Sequence, residues 1–403
     1  MIATSNRADM QFLFSKLVRH DESVPQMQLD LPQENEDTIS LAYGDADPAL
    51  FPIDALIGAV DRMLTGNLDV SLNYAPAYAG LVTLVQERMA RVAVPLARNQ
   101  IMLANGSSQV LSLLPQIFCD PGDVIIVEGP SFLGAVETFV NCGLTIETIP
   151  VRDDGMDLDI LASTLARLAN QGIRAKFIYT IPTFQNPTGS LMPLANRQRL
   201  VGLAAQYGVV IVEDDAYGDL HFDTALPPKL MALDPTWVLY VGTFSKILAP
   251  GVRMAWACGP SEIIKRLNRF KTEGSNGPFM TRLVAQVAAD GWLDRHIAML
   301  NANYAQKCHA MLTTIAEAFP SDVRYNKPQG GFFVYVYLPD DLPVRRLLPA
   351  AIGNGVSFLP GTTCYADGQG THEIRLAFSF QSLEKVVEGI RRLGATMHQL
   401  RQV

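Results

Sequence analysis

The sequence predicts an α/β fold in which a mostly parallel sheet lies between helices, followed by a smaller α+β unit. Three observations carry that expectation. Between residues 124 and 242, short β-branched apolar runs alternate with helix-length stretches, the pattern of βαβ crossovers in a doubly wound sheet. The run Trp237–Val241 is apolar throughout, as a buried strand is. The residues of unusual chemistry fall directly after such runs, where ligands bind beyond the carboxyl ends of parallel strands.

The elements follow in order. Residues 1–25 predict an amphipathic helix, with Met10, Phe12, Leu13, Phe14, Leu17 and Val18 near helical spacing. The polar stretch Gln33–Asp37 separates it from Ile39–Gly44, a short strand ending at a glycine turn. Phe51-Pro52-Ile53 opens a helix, with proline tolerated in the first turn. Asn73–Gly80 is a loop before a helical run through Arg91. Leu103–Gln109 is a small-residue turn opening an apolar helix; serines at a helix N-terminus hold phosphate readily, and also cap helices with no ligand present. Strands are then expected over 124–127, 144–151, 176–181, 209–212 and 238–242, with helices over 132–140, 158–169 and 193–207 between them. A long helical stretch runs from about residue 278 through Ala318. A strand at 331–338, a helix at 344–352, a strand at 374–380 and a helix at 383–393 complete a second domain.

Composition narrows the function. With 48% apolar and 18% charged residues the chain is ordinary globular protein rather than a disordered one. A net charge of −8 offers no basic footprint for nucleic acid. No apolar run is long enough to span a bilayer. Five scattered cysteines form no CxxC pair and, with no apolar signal segment, read as reduced thiols of a cytoplasmic protein. The six histidines lack metal-ligand spacing, so no metal is expected. No GxGxxG turn follows a strand, which disfavours a nicotinamide cofactor.

What remains is a set of strand ends. Lys246 lies just past the strand at 238–242, with Ser245 before it and Arg253 seven residues on. An amine there can form a Schiff base with a phosphorylated aldehyde while the hydroxyl and guanidinium hold a dianionic phosphate. Glu213-Asp214-Asp215 follows a buried strand; a carboxylate in that place needs a partner, and a protonated ring nitrogen is a suitable one. Any of the three acids is a candidate. Phe132 is placed to cover a planar ring, and Phe184–Gly189 forms a loop after the strand at 176–181.

Taken together, Ile39–Pro52, Gly106–Gln109, Phe184–Gly189, Glu213–Tyr217, Gly242–Arg253, Gly330–Phe333, Phe358–Gly361 and Arg375–Ser379 resemble, in order and spacing, the class I/II aminotransferases among the fold-type I pyridoxal-phosphate enzymes. The chain looks most like the group of 2-aminoadipate, kynurenine and aromatic aminotransferases. The resemblance implies a seven-stranded large domain over 46–285, a small domain over 286–403, and an N-terminal segment 1–45 packed with the latter. It implies pyridoxal 5'-phosphate held on Lys246, which also moves the Cα proton. Asp214 would pair with the pyridinium nitrogen, favoured over its neighbours by its spacing to Tyr217. Asn186 and Tyr217 would bond the ring's phenolic oxygen, and Phe132 would stack on the ring. Ser107, Ser108, Ser245 and Arg253 would cradle the phosphate, with Tyr74 reaching it from the second subunit of a homodimer. Arg375 would bind the substrate α-carboxylate beside Asn186 and Gly44.

The expected reaction moves an amino group from an L-amino acid to a 2-oxo acid. The same scaffold also hosts cyclases, lyases, decarboxylases and oxidases, and aminotransferase-like domains occur in DNA-binding regulators. Three features depart from the family: the loop Tyr74–Gly80 is about one residue longer than usual, Val85 stands where an arginine is common, and the segment beside the substrate differs. Relatives often carry Gly-Gly-Leu-Pro beside the substrate, where this chain has Tyr43-Gly44-Asp45-Ala46. Asp45 is expected to read a cationic side chain, unless it serves only to bond its own loop backbone.

Overall fold

The computed structural model describes residues 37–66, 68–272 and 276–402. The helix expected over 1–25 and the polar stretch up to Glu36 lie outside them. The strand expected over Ile39–Gly44 is only two residues long, β1 (Ile39–Ser40).

The large sheet is built from β2 (Ile101–Ala104), β3 (Val124–Gly129), β4 (Thr145–Arg152), β5 (Gly155–Met156), β6 (Phe177–Thr180), β7 (Val210–Asp214), β8 (Val238–Thr243) and β9 (Ala255–Cys258). Their spatial order is β2-β9-β8-β7-β6-β3-β4-β5. The five strands β4, β3, β6, β7 and β8 run parallel, and β9, β2 and β5 pair antiparallel at the two edges. Seven strands are expected; the eighth, β5, is a two-residue hairpin return of β4.

Side-chain alternation divides the core in two, because successive strand residues point to opposite faces. Ile125, Val127, Phe177, Tyr179, Val212, Leu239 and Val241 pack with Val110, Leu111, Phe139 and Ile264 from helices Ser107–Phe118, Leu133–Asn141 and Ser261–Phe270. Ile126, Ile178, Ile211, Val238 and Tyr240 face the other way, onto helices Leu158–Asn170 and Leu194–Tyr207. These strands are therefore apolar on both faces along most of their length, as a sheet covered on both sides requires, and their polar residues Glu128, Thr180, Glu213, Asp214 and Thr243 fall at the carboxyl ends.

The long helical stretch expected from residue 278 is two helices, Pro278–Ala288 and Trp292–Ala318. The break falls at Asp290 and Gly291, with φ of 54° and 68°; left-handed backbone cannot continue an α-helix. The second helix packs against Leu383–Arg401 beside a four-stranded antiparallel sheet. That sheet holds β10 (Arg324–Tyr325), β11 (Phe333–Tyr337), β13 (Leu359–Pro360) and β14 (Glu373–Ala377), in the order β10-β11-β14-β13. The short β12 (Val356–Ser357) pairs instead with β1, in parallel. The N-terminal strand is thus carried by the C-terminal part of the chain and delivers residues 41–47 to the mouth of the large sheet.

Candidate active site

Strand alternation separates the three acids after β7. Glu213 and Asp215 point to one face and Asp214 to the other. Glu213 accepts the N–H groups of Leu230 and Met231 at 2.9 and 3.0 Å, capping a short helix, with Arg197 3.8 Å away. Asp215 pairs with Lys229 at 2.5 Å and accepts the Tyr240 hydroxyl at 2.8 Å. Both find their partners away from the cavity, which neither lines, although Asp215 Oδ1, like Asp214 Oδ1, has no partner among the described residues. Asp214 accepts the Tyr179 hydroxyl on Oδ2 at 2.7 Å, while its buried Oδ1 has no partner among the described residues. Burial pushes Asp214 up to about 6, and the Tyr179 hydrogen bond opposes that rise. A buried, one-sided carboxylate with an open acceptor atom suits a charged donor arriving from the cavity.

That cavity has a volume of about 320 Å³ and gathers Asp214, Lys246, Asn186, Tyr217 and Arg375. Two larger grooves, of about 800 and 700 Å³, run along the β4 edge against the small sheet; Lys246 and Asp214 line neither. The Lys246 amine donates to the Gly44 carbonyl at 2.8 Å and lies 4.0 Å from Asp45 Oδ1. Burial lowers Lys246 to about 8; Asp45 pulls it up, and Arg375 and Arg253 push it further down. A neutral amine is therefore accessible near neutral pH.

One end of the cavity is built for an anion. Helix Ser107–Phe118 begins at Gly106, whose φ is 83°, and presents Ser107 and Ser108 to the cavity with Ser245 and Arg253 beside them. A Cβ on Gly106 would collide with the Arg253 guanidinium, so glycine is required there. Hydroxyls, free amides at a helix start and a guanidinium form a phosphate-binding set. Ser245 also accepts the Thr243 hydroxyl at 3.0 Å, which fixes it at the end of β8.

The opposite end is closed by Arg375 on β14. Its guanidinium donates to Asn186 Oδ1 at 2.8 Å and to the Ala42 carbonyl at 2.7 Å, and stacks 4.2 Å above the Phe333 ring. Its Nε has no partner among the described residues. Burial lowers this group, so a carboxylate arriving here meets an under-solvated cation. Gly44 fits beneath the Phe333 ring, where a Cβ would approach to 2.7 Å. Tyr217 packs edge-on against Phe332 and Phe333 and shares a hydrogen bond with Asn186. Burial holds its hydroxyl well above the usual phenol range.

Phe132, the residue before helix Leu133–Asn141, also lines the cavity. The structure thus brings together Lys246, Asp214, Tyr217, Ser107, Ser108, Phe132, Asn186, Ser245, Arg253, Arg375 and Gly44. Tyr74 stands apart, fully exposed on the loop before helix Ala79–Arg91. Sequence reasoning misses Tyr179, whose register opposite Val212 places it beside Asp214. It also misses Glu128, a buried acid pushed up to about 7 by desolvation, which accepts bonds from Thr180, Ile181 and Gln185 behind the Asn186 loop. Both contacts depend on strand order, which no local pattern reveals.

The site's chemistry agrees with what the chain resembles. The family signature described as "Aminotransferase class I and II" matches residues 39–393. The aromatic-amino-acid aminotransferase 1 of Thermococcus litoralis is 35% identical over 378 residues, covering 91% of this chain and 89% of that one. The solved structure of LysN, the α-aminoadipate aminotransferase of Thermus thermophilus complexed with N-(5'-phosphopyridoxyl)-L-leucine, is 33% identical with a TM-score of 0.89, covering 97% of this chain and 99% of that one. The kynurenine aminotransferase of Pyrococcus horikoshii is 32% identical with a TM-score of 0.89, covering 98% and 99%. The open Asp214 Oδ1, the reactive amine and the anion cradle fit pyridoxal phosphate, the cofactor of these enzymes. The chain belongs to the class I and II aminotransferases, a pyridoxal-phosphate-dependent family of fold type I.

Proposed function

We propose that the described cavity performs amino transfer with Lys246 as its covalent anchor and proton carrier. The observation that carries the assignment is the buried Asp214 Oδ1, left open at the floor of the cavity that also holds Lys246 and Arg375. When bound, the cofactor supplies an electron sink that acidifies the donor's Cα–H. Asp214 would hold the ring-nitrogen proton, and its burial favours a charged partner. Asn186 and Tyr217 would bond the ring oxygen, with Phe132 against the ring face. Ser107, Ser108, Ser245 and Arg253 would hold the phosphate. Arg375 would take the α-carboxylate as a planar fork, exchanging its present bonds to Asn186 and Ala42 for the donor. Lys246 Nζ would then take the proton from the donor's Cα, and Asn186, Gly44 and Phe333 would hold that carbon beside it.

The active form in this reading is a cytoplasmic homodimer serving amino-acid metabolism. Exposed Ile53, Ile57, Leu64, Leu72 and Tyr74 form an apolar run on one segment of the chain, the composition of an interface core, and Tyr74 would reach the second copy's phosphate. All five cysteines are free, and no helix among the described residues is long and apolar enough to cross a membrane. The absorption spectrum of the pyridoxal-phosphate-loaded protein, followed as single L-amino acids are added, tests the assignment. Conversion of the cofactor to its amine form with stoichiometric 2-oxo acid is the expected result, absent in Lys246→Ala. A Lys246→Ala protein that still converts donors at the wild-type rate would remove Lys246 from the mechanism.

A further inference from the structure

The segment Tyr43–Asp47 enters the cavity from the N-terminal strand and is held at nearly every residue. Gly44 O accepts from Lys246 at 2.8 Å, and Asp45 O accepts from the Ser379 hydroxyl at 2.7 Å. Asp47 accepts the Ala49 N–H at 2.8 Å and pairs with buried Lys307 at 2.6 Å, and Lys307 also donates to Ser379 O at 2.9 Å. The backbone at Asp45 is therefore fixed by Ser379, two residues past β14, and its neighbour Asp47 by Lys307 of the helix Trp292–Ala318.

The Asp45 carboxylate takes no part in that fixing. It is 57% exposed at the cavity rim, and Lys246 is the cation within 4.0 Å of it among the described residues. An aspartate that only stabilises its own loop bonds backbone N–H groups; Asp47 does so, and Asp45 does not. Asp45 is thus a fixed negative charge beside the reacting amine. Lys246 must lose its proton to act as nucleophile and base. While the donor is held, the cation nearest Asp45 is then neutral, and Arg375, which also feels the Asp45 charge, is engaged with the α-carboxylate. The donor's Cα must lie within reach of Lys246 and its α-carboxylate on Arg375, so its side chain extends through the field of Asp45.

We infer that Asp45 makes this site select amino donors whose side chain carries a cation, the class of L-lysine and L-ornithine, over neutral and dicarboxylic donors. The inference rests on the amino-transfer reading of the cavity. A partly exposed charge pair shifts binding by about two- to fivefold, so selectivity rather than activity is the quantity to read. The experiment compares L-lysine, its neutral counterpart L-norleucine and L-2-aminoadipate in the loaded wild-type protein and in Asp45→Asn. Both kcat/KM and the dissociation constant from the cofactor's absorbance change are measured at low and high salt.

In Asp45→Asn the lysine-to-norleucine ratio is expected to fall about two- to fivefold and the aminoadipate-to-norleucine ratio to rise. Both shifts should shrink at high salt. Asp45→Glu should restore part of the lysine preference. Opposite movement of two ratios cannot come from general damage to the loop. If neutral donors are converted but both ratios match the wild type, the inference is wrong and the amino-transfer reading stands. If no donor yields a 2-oxo acid in either protein, the amino-transfer reading fails and the inference falls with it.

Discussion

The floor and the rim of the cavity hold their charges in contrasting ways. On the floor, Asp214 is one residue of an acidic triplet, sorted from its neighbours by strand alternation and steadied by Tyr179 from the adjacent strand β6. At the rim, Gly44, Asp45 and Asp47 are steadied by Lys246, Ser379 and Lys307, all 200 or more residues away in the chain. The floor is a property of one sheet and its register. The rim exists only when the small sheet and the long helix have docked against the large domain.

Breaking the floor should have the largest effect. Asp214→Asn removes the buried acceptor charge, and kcat is expected to fall about a hundredfold or more. Cofactor affinity, read by fluorescence titration, should weaken as well. A variant with wild-type kcat and affinity would shift the ring-pairing role to another acid.

Breaking the rim should show first in stability. Lys307→Met strands the Asp47 carboxylate in a nearly buried position, and loss of one partner of a buried pair costs about 3 kcal/mol or more. Urea unfolding should detect that loss, with Asp47→Leu/Lys307→Met recovering much of it. In the same single variant KM for the donor should rise more than kcat falls, because Lys307 clasps Asp47 and the Ser379 carbonyl beside the rim segment without touching the reacting atoms. Equal losses in cofactor affinity, KM and kcat would make it a general packing residue.

Tyr179→Phe separates the two regions more gently. It leaves Asp214 without its hydrogen bond, and a bond to a charged group contributes about 1.5–3 kcal/mol. Cofactor affinity should drop about tenfold or more, and Asp214 should move further above about 6. Rim functions such as donor KM should stay within about twofold.

The smallest effect is a pH dependence that links the regions through Lys246. Its amine is lowered to about 8, so the reactive neutral form disappears as pH falls. The rate of cofactor uptake should decline about tenfold per unit below that value and level off above it. Asp45→Asn removes the charge that raises Lys246, so the midpoint should move to lower pH. A midpoint that stays in place would show that Asp45 acts on donors alone.

The legible part of this protein is what short-range physics encodes. Apolar β-branched runs between amphipathic helices announce the doubly wound sheet. Lys246, Ser245 and Arg253 announce an anion-holding amine, because each lies within one strand end or the loop after it. The acidic triplet was legible as a site but not as an assignment on residue chemistry alone, since three carboxylates in a row look alike until a strand turns them to opposite faces. The helix break at Asp290 and Gly291 was hidden because the flanking residues keep helical periodicity on both sides.

The sequence by itself determined the fold class and the strand ends where the unusual residues gather, because strand propensity, periodicity and strand-end motifs act over a few residues. Only the tertiary structure decided how strand alternation turns the three acids, with Asp214, the one the family resemblance favours, toward the cavity, and that Tyr179 steadies it. It also decided that Lys307 and Ser379 clasp the segment bearing Asp45. Those contacts join residues 35 to 334 positions apart. No local pattern can specify them, since they form only when strand order and domain docking bring distant side chains together.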